Sequence, residues 1–314
     1  MKLLIYMPAL NEEGNLKSVI EQLPQKINGI GQILVLVVND GSTDETAKVA
    51  VDCGVELISH DHNKGVGSAF HTAVQFALEK KVDILVGIDA DRQFNAKQIK
   101  EIIRPILDGA ADMVTGNRFS NGMPQNMPVI KYWGNKQMSR LITLISGQKF
   151  VDVSCGFRAY NRETLLRLNL MGAFTYTQET ILDIVFKGLR VTEFPVDVIY
   201  DKKRKSRVAS NVVTYAFKTT NIILRTLRDY KPLVFFGGLG AISVGIGLLF
   251  ELFMFIHYFV QGMFTPYKSF GFFGLGFIIF GFLLIIVGLL ADMFNRVRIN
   301  QERILYELKK DRYG

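Results

Sequence analysis

Short apolar runs alternate with amphipathic segments through the first part of the chain. Leu3–Met7 and Ile33–Val38 have the pattern of strands, and the second is apolar throughout, as expected for a strand covered on both faces. The same pattern predicts strands at Val55–Ile58, Ile84–Ile88 and Met113–Thr115, and helices after Asn11, near Glu45–Asp52, at Gly67–Glu79 and at Ala96–Leu107. Asn11 is in position to cap the first helix. This β-α-β-α order predicts an α/β domain with a doubly wound, mostly parallel sheet.

Two long apolar stretches follow later in the chain. The first runs from Pro232 to His257 and is interrupted only by Glu251, and the second runs from Phe270 to Leu290 without a charge. Each reaches the roughly 20 residues that a helix needs to cross a bilayer. We therefore predict a two-helix transmembrane anchor; a buried hairpin in a soluble protein is the alternative. The many glycines in both stretches suit close helix packing in lipid and favour a homo-oligomer.

The net charge of +8 is distributed around these apolar stretches. The basic run Lys202–Arg207 precedes them and a basic tail follows, whereas the connecting loop carries only Lys268. A basic protein often binds nucleic acid, but basic residues that bracket apolar stretches favour anionic membrane lipid as the partner instead. By the positive-inside rule, both termini and the N-terminal domain are expected in the cytosol.

The chain thus divides into four predicted parts. Residues 1–210 form a cytosolic domain, 211–231 an interfacial amphipathic helix around Val212–Leu227, 232–294 two transmembrane helices, and 295–314 a cytosolic basic tail. A further amphipathic helix, Trp133–Ser146, fits either the membrane interface or the surface of the domain. The two cysteines, Cys53 and Cys155, are too few for a disulfide framework. We interpret them as small buried side chains, and the four histidines as structural.

The most informative chemistry is the carboxylate pair Asp89 and Asp91, which directly follows the apolar run Ile84–Ile88. Residues i and i+2 of a strand point to the same face, so the two carboxylates can converge. Two anions this close are costly unless a cation lies between them. Hard carboxylate oxygens suit Mg²⁺ or Mn²⁺, whose remaining ligands are commonly phosphate oxygens. A solvated aspartate pair in a turn is the alternative.

Three predicted strands end in polar clusters. Asn11-Glu12, Asn39-Asp40 and Asp89-Asp91 each follow a strand, and ligands of doubly wound sheets bind at the carboxyl ends of the strands. This convergence favours a site for a metal and a nucleotide. Gly65-Val66-Gly67 lacks the third glycine of a dinucleotide fingerprint, and no Walker A sequence is present, so the nucleotide would be bound in another way.

Five motifs occur in the order found in family 2 glycosyltransferases of the GT-A, Rossmann-like fold. They are Met7–Glu13, Val38–Asp44, Asn63–Gly65, Asp89–Gln93 and Ser154–Arg158. More narrowly, the chain resembles the polyprenyl-phosphate glycosyltransferases, which include dolichyl-phosphate mannose synthases and bacterial polyisoprenyl-phosphate glucosyltransferases. The resemblance covers roughly the first 210 residues, and the two spans match the bacterial branch anchored in the plasma (inner) membrane.

The resemblance implies a role for each matching residue. The donor-binding set is Pro8, Ala9 and Glu12 in the nucleoside pocket, Asp40 near the base or ribose, and Lys64, Asp89 and Ala90, with Arg204 and Arg207 in the basic loop. Asp91 and Gln93, together with Asp89, would ligate Mg²⁺ or Mn²⁺ on the donor diphosphate, and Asp89, Asp91 and Arg118 form the implied catalytic set. Arg92 departs from the family pattern, which has a small or apolar residue there, and its role is left open.

The implied acceptor, undecaprenyl phosphate, explains why no strong base is expected. Its phosphate is largely a dianion at pH 7 and can attack the anomeric carbon directly, with inversion. Such an acceptor needs cationic positioning, which Arg118, Arg204 and Arg207 are expected to supply. Glucose from UDP-glucose is the first choice of sugar, and mannose from GDP-mannose is the alternative.

Three other functions were compared with this one. A processive polysaccharide synthase would normally carry a Gln-x-x-Arg-Trp motif and more spans, and the only tryptophan, Trp133, follows Lys131-Tyr132 instead. A two-span transporter lacks support because neither span has a patterned polar face. A non-catalytic nucleotide-sugar sensor stays open, although the intact Asp89, Asp91 and Gln93 argue against it.

Overall fold

The computed structural model describes residues 1–169, 177–200, 220–221, 224–225, 227–228 and 230–313, which fall into two compact units. The first unit comprises Met1–Thr219 with Leu305–Gly314, and the second comprises Thr220–Ile304. Arg204 and Arg207 lie outside the described residues, and so does most of the predicted interfacial helix Val212–Leu227.

A seven-stranded sheet in the order β3-β2-β1-β4-β6-β5-β7 forms the centre of the first unit. Its strands are β1 (Lys2–Ala9), β2 (Gln32–Asn39), β3 (Glu56–Ser59), β4 (Ile84–Gly87), β5 (Met113–Asn117), β6 (Arg158–Asn161) and β7 (Val191–Pro195). Only β6 runs antiparallel to its neighbours, β4 and β5, and the other pairs are parallel. The prediction of an α/β domain with a mostly parallel sheet is confirmed.

Eight helices surround this sheet in the described part of the first unit. They are α1 (Leu16–Glu21), α2 (Thr46–Asp52), α3 (Val66–Glu79), α4 (Ile99–Ile102), α5 (Arg104–Leu107), α6 (Val129–Ser146), α7 (Arg162–Arg167) and α8 (Thr177–Phe186). The single helix predicted for Ala96–Leu107 is instead divided into a 3₁₀ turn, α4 and α5. Pro105, in the first turn of α5, has no N–H to continue an α-helical ladder.

Asn11 does not cap α1, so that prediction is wrong. The residue before α1 is Asn15, and Asn11 lies in the preceding loop with a left-handed φ of 52°. Asn11 Oδ1 accepts the Thr43 N–H at 2.8 Å, and its own N–H donates to Ser42 Oγ at 2.9 Å. Asn11 thus joins the loop after β1 to the loop after β2, which brings the two predicted donor-binding segments together.

Two long helices, α9 (Pro232–Gln261) and α10 (Lys268–Tyr313), contain the predicted spans, and both are long and apolar enough to cross a membrane. Within the second unit, two glycines of α9, Gly240 and Gly247, face two glycines of α10, Gly281 and Gly274. A Cβ on Gly240 would lie 2.7 Å from the carbonyl oxygen of Gly281, and one on Gly247 would lie 2.6 Å from that of Gly274. The helices therefore touch backbone to backbone along this seam. The expected homo-oligomer stays a prediction.

Candidate active site

The turn after β4 contains the predicted metal ligands Asp89, Asp91 and Gln93. Asp89 and Asp91 are partly exposed, and Ala90 between them is buried. Asp91 Oδ1 accepts the Gln93 N–H at 3.1 Å, and Arg92 adopts a left-handed φ of 63°. β4 ends at Gly87, so the three positions 89, 91 and 93 lie in the turn that follows the strand and not on the strand itself. Their joint binding of a metal ion stays a prediction.

Lys131 is a candidate site residue that was not among those predicted from the sequence. It is half-buried on α6, and burial together with the nearby Arg118 lowers its pKa, while the charges of Asp89 and Asp91 act in the opposite direction. The Lys131 ammonium lies 5.3 Å from the centre of the Tyr200 ring, and the Tyr200 hydroxyl accepts a hydrogen bond from Arg118, so the two cations are both next to this tyrosine. The amphipathic helix predicted from the sequence began at Trp133, two residues after Lys131, so Lys131 was not assigned to it. In the structure, α6 begins at Val129 and includes Lys131.

Arg118 is held in place by a buried ion pair. Its Nε donates to Asp152 Oδ2 at 2.7 Å and its Nη2 to Asp152 Oδ1 at 2.8 Å. Nη1 also donates to the Tyr200 hydroxyl at 3.1 Å, and Nη2 donates to Ser154 Oγ at 2.8 Å. Burial alone would raise the pKa of Asp152, but the charge and hydrogen bonds of Arg118 hold it below its usual range. The contacts fix the direction of the guanidinium, and its contact with an acceptor stays a prediction.

A second missed residue, Asn135, lies one helical turn after Lys131. Its Oδ1 accepts the Ser154 hydroxyl at 2.8 Å. Its Nδ2 is buried and has no hydrogen-bond partner among the described residues. A buried donor without a partner is costly, so this group is suited to meet an oxygen atom of a ligand.

Asp40, expected near the base or ribose, is buried and fixes the loop that follows β3. Its carboxylate accepts the N–H groups of Lys64 and Gly65, both at 2.9 Å. His60 Nδ1 lies 2.7 Å from Asp40 Oδ1, and His60 Nε2 lies 3.0 Å from Thr72 Oγ1. His60 was interpreted from sequence as structural, and it is here part of the framework of the site. A direct contact of Asp40 with a nucleoside stays a prediction.

The other residues of the predicted nucleoside pocket lie at the same edge of the sheet. The Asp40 N–H donates to the Ala9 carbonyl at 2.9 Å, and Pro8 precedes Ala9 on β1. Glu12 is buried, and its Oε2 accepts the Asn15 side-chain amide at 2.8 Å. The Lys64 ammonium group pairs with Asp61 at 2.8 Å.

The oxygen atoms at this edge fit a divalent metal only if a ligand completes the site. Within the described ranges, no group of three or more His, Cys, Asp or Glu side chains could hold a metal ion. Two carboxylates and the Gln93 amide are hard donors of the kind that Mg²⁺ and Mn²⁺ accept. A bound diphosphate would provide the remaining oxygen atoms.

Comparisons with known proteins agree with this fold. The model of Glycosyl transferase family 2 matches residues 4–168. The chain is 26% identical over 306 residues to Glycosyltransferase AglJ of Haloferax volcanii, covering 97% of each chain. It is 32% identical to the UDP-N-acetylglucosamine--dolichyl-phosphate N-acetylglucosaminyltransferase of Methanococcus voltae, covering 65% of this chain and 89% of the relative.

Among solved structures, the fold is similar to that of glucosyl-3-phosphoglycerate synthase from Mycobacterium tuberculosis in complex with Mn²⁺, UDP and glucosyl-3-phosphoglycerate. The TM-score is 0.57 at 18% sequence identity, covering 72% of this chain and 79% of that one. The family match spans more than half of the chain, including the Asp89–Gln93 turn and the loop before β6. The chain therefore belongs to glycosyl transferase family 2 and is a glycosyltransferase.

Proposed function

We propose that this enzyme transfers a sugar from a nucleotide-sugar to a polyprenyl phosphate, with undecaprenyl phosphate as the first candidate, and inverts the anomeric carbon. The observation that carries the proposal is two cations near exposed apolar side chains. The Lys131 ammonium lies 5.3 Å from the centre of the Tyr200 ring, whose hydroxyl accepts a hydrogen bond from Arg118. On the same helix as Lys131, the side chains of Val129, Ile130 and Trp133 are exposed. An acceptor that is both anionic and lipidic matches these two properties. The name of the Methanococcus voltae relative, which acts on a dolichyl phosphate, supports the same class of acceptor.

The acceptor phosphate would be bound by charge-assisted hydrogen bonds. The Lys131 ammonium and the Asn135 amide are donors one turn apart on α6, and Asn135 Nδ2 has no hydrogen-bond partner in the described part of the chain. Arg118 is the third group of this set. Arg204 and Arg207 are proposed to attract the phosphate as well. A phosphate oxygen attacks the anomeric carbon while the bond from that carbon to the donor diphosphate breaks, and the electron pair leaves with the nucleoside diphosphate. No proton has to move, so no protein base is needed.

The donor would lie along the carboxyl ends of β1, β2 and β4. Asp89 is proposed to hold the nucleotide or the sugar, and Pro8, Ala9, Glu12, Asp40, Lys64 and Ala90 are proposed to form the rest of the donor site. Asp91 and Gln93, with Asp89, would hold Mg²⁺ or Mn²⁺. When bound, the metal ion would stabilise the negative charge on the departing nucleoside diphosphate.

The proposed place of reaction is the cytosolic face of a plasma membrane. The two long helices have the length and apolarity of membrane spans. On α6, the side chains of Val129, Ile130 and Trp133 are 70%, 58% and 61% exposed, and Lys136 on the same helix is exposed too. Apolar and basic side chains together suit a surface of anionic lipid.

A transfer assay with the detergent-solubilised full chain tests the reaction. Undecaprenyl phosphate would be offered with UDP-glucose, UDP-N-acetylglucosamine or GDP-mannose, and we expect UDP-glucose to be used best. EDTA should abolish transfer, and Asp91→Ala should remove nearly all of it. The matched control is Asp108→Ala, which changes an exposed aspartate directly after α5. It should leave transfer unchanged.

Alanine substitutions of two lysines on α6 test the proposed binding of the acceptor. Losing one charge-assisted phosphate contact typically costs about 1.5–3 kcal/mol, so Lys131→Ala should weaken the use of the lipid phosphate on the order of 10- to 100-fold. The donor dissociation constant should change little. Lys136→Ala, which removes an exposed charge from the same helix, should have a much smaller effect. Equal effects of the two variants would contradict the acceptor site, and full transfer in EDTA would contradict the metal.

A further inference from the structure

Arg158 is the largest side chain in the described part of the protein that is fully buried. Its Nε donates to the Cys155 carbonyl at 2.8 Å and its Nη2 to the Val153 carbonyl at 3.0 Å. Nη1 donates to the carbonyl of Thr177, the first residue of α8, at 2.7 Å. A buried guanidinium is costly unless such partners are fixed around it, and its planar fork can bind several carbonyls at once.

The backbone of Arg158 lies between the two strands that carry site residues. As the first residue of β6, Arg158 pairs with Gly87 of β4 on one side and with Thr115 of β5 on the other. Asp89 follows Gly87 by two residues, and Arg118 follows Thr115 by three. Arg158 is therefore the point where the segments leading to both groups meet.

The loop whose carbonyls Arg158 binds also touches both of these groups. A Cβ on Gly156 would lie 3.2 and 3.3 Å from the two carboxylate oxygens of Asp89, so this glycine backs the carboxylate directly. On the other side, Asp152 and Ser154 bind the guanidinium of Arg118. A shift of this loop would displace Asp89 and Arg118 together.

We propose that Arg158 is a positioning residue of the active site. By holding the Val153 and Cys155 carbonyls, it fixes the loop 152–156 and thereby sets where Asp89 and Arg118 stand relative to the donor. The inference rests on the proposed function only for its kinetic consequence. Small displacements of groups that orient a substrate can cost about 100-fold in rate.

Arg158→Lys is the main test, because lysine keeps the charge but cannot bind three carbonyls in a fork. Hydrogen exchange of the full chain should become faster in peptides covering 152–157 and 88–91. The catalytic efficiency for the donor should fall on the order of 10- to 100-fold. Arg190→Met is the matched control, since Arg190 is bound to Asp112 at the opposite end of β5, and it should change neither measurement.

A double-mutant cycle separates positioning from general support of the fold. If Arg158 acts through Asp89, Arg158→Lys should weaken donor binding, measured by calorimetry, in the otherwise unchanged enzyme but much less in an Asp89→Asn background. A purely structural role would give additive losses, and that result would overturn the proposal. Faster loop exchange with unchanged turnover would overturn it as well.

Gly156→Ala keeps the test decisive if Arg158→Lys does not fold. It leaves Arg158 intact and presses a methyl group against Asp89, so the same loss of donor use is expected, and normal turnover would overturn the inference. If the unchanged enzyme transfers no sugar to lipid phosphate, the proposed function fails. Loop exchange and donor binding then still decide the role of Arg158.

Discussion

Arg118 and Asp152 form a bidentate ion pair in the interior of the first unit. The side chain of Asp152 is fully buried and that of Arg118 is 8% exposed, and the two contacts measure 2.7 and 2.8 Å. The pair includes Arg118, which is one of the groups proposed to bind the acceptor phosphate. It therefore links the stability of the fold to the direction of a group that the reaction is proposed to use.

Breaking this pair should destabilise the protein strongly. Removing one partner of a buried pair leaves an uncompensated charge and typically costs about 3–5 kcal/mol. Asp152→Asn is thus expected to lower the melting temperature markedly. Asp108→Asn removes an exposed ion pair with Arg104, worth about 0–1 kcal/mol, and is the control. Similar melting temperatures for both variants would show that the buried pair contributes little.

Glu193 gives a prediction with a defined pH dependence. Its Oε1 accepts the Asp152 N–H at 2.7 Å, and burial, assisted by the charge of Asp152, raises its pKa above the ordinary 4.5. A raised pKa in the folded state contributes stability below the ordinary value, and this contribution is lost as pH rises through the folded value. Glu193→Gln keeps a carbonyl acceptor and cannot ionise. Its melting temperature relative to the unchanged protein should therefore increase from pH 4 to pH 8, and a constant difference would contradict this.

The hydrophobic pattern predicted strands β1 to β5 and did not predict β6 or β7. Strands β1 to β5 have apolar runs that mark them, and the Asp89–Gln93 turn lies where the alternation placed it. β6 begins with a buried arginine, which no hydrophobic pattern identifies as a strand. Asp152 and Asn135 gain their roles from partners distant in sequence, such as Arg118 and Ser154, and no local pattern reports such pairs.

The close glycine contacts between α9 and α10 predict that alanine substitutions at two positions of α9 differ in their effect on stability. Gly240→Ala would place a methyl group 2.7 Å from the Gly281 carbonyl oxygen and from the Ile285 side chain, an overpacking that typically costs about 1–3 kcal/mol. A Cβ on Gly245 would meet no atom of another helix among the described residues within 4 Å, so Gly245→Ala is the matched control. Melting in detergent should separate them, and equal melting temperatures would mean that the helices do not touch along this seam.

Arg92 adopts a left-handed backbone conformation that disfavours most side chains. With φ at 63°, Arg92→Gly should fold at least as well as the unchanged protein, whereas a β-branched residue should lose about 1–2 kcal/mol. Melting temperatures of Arg92→Gly and Arg92→Val test this, and a valine variant as stable as the glycine variant would refute it. Transfer by the glycine variant shows in addition whether the guanidinium itself is needed.

Trp133 provides a probe of the proposed membrane face, because it is the only tryptophan of the chain and its side chain is 61% exposed. If this side of α6 meets lipid, lipids brominated on the acyl chain should quench the tryptophan fluorescence in nanodiscs. Trp133→Phe provides the background signal. Equal fluorescence with brominated and ordinary lipids would place this face of α6 in water.

The position of β6 between β4 and β5 also has a consequence for how the chain folds while it is being synthesised. β4 is synthesised well before β6, which is its partner on one side. Both partners of β5 are also synthesised after β5 itself. At about 5–20 residues per second, the ribosome needs on the order of ten seconds to synthesise the chain between β4 and β6. During that interval the strand leading to Asp89 has one unpaired edge, of the kind that recruits other strands. Until β6 is made, the nascent chain is thus open to misassembly at the strand that leads to the proposed metal ligands.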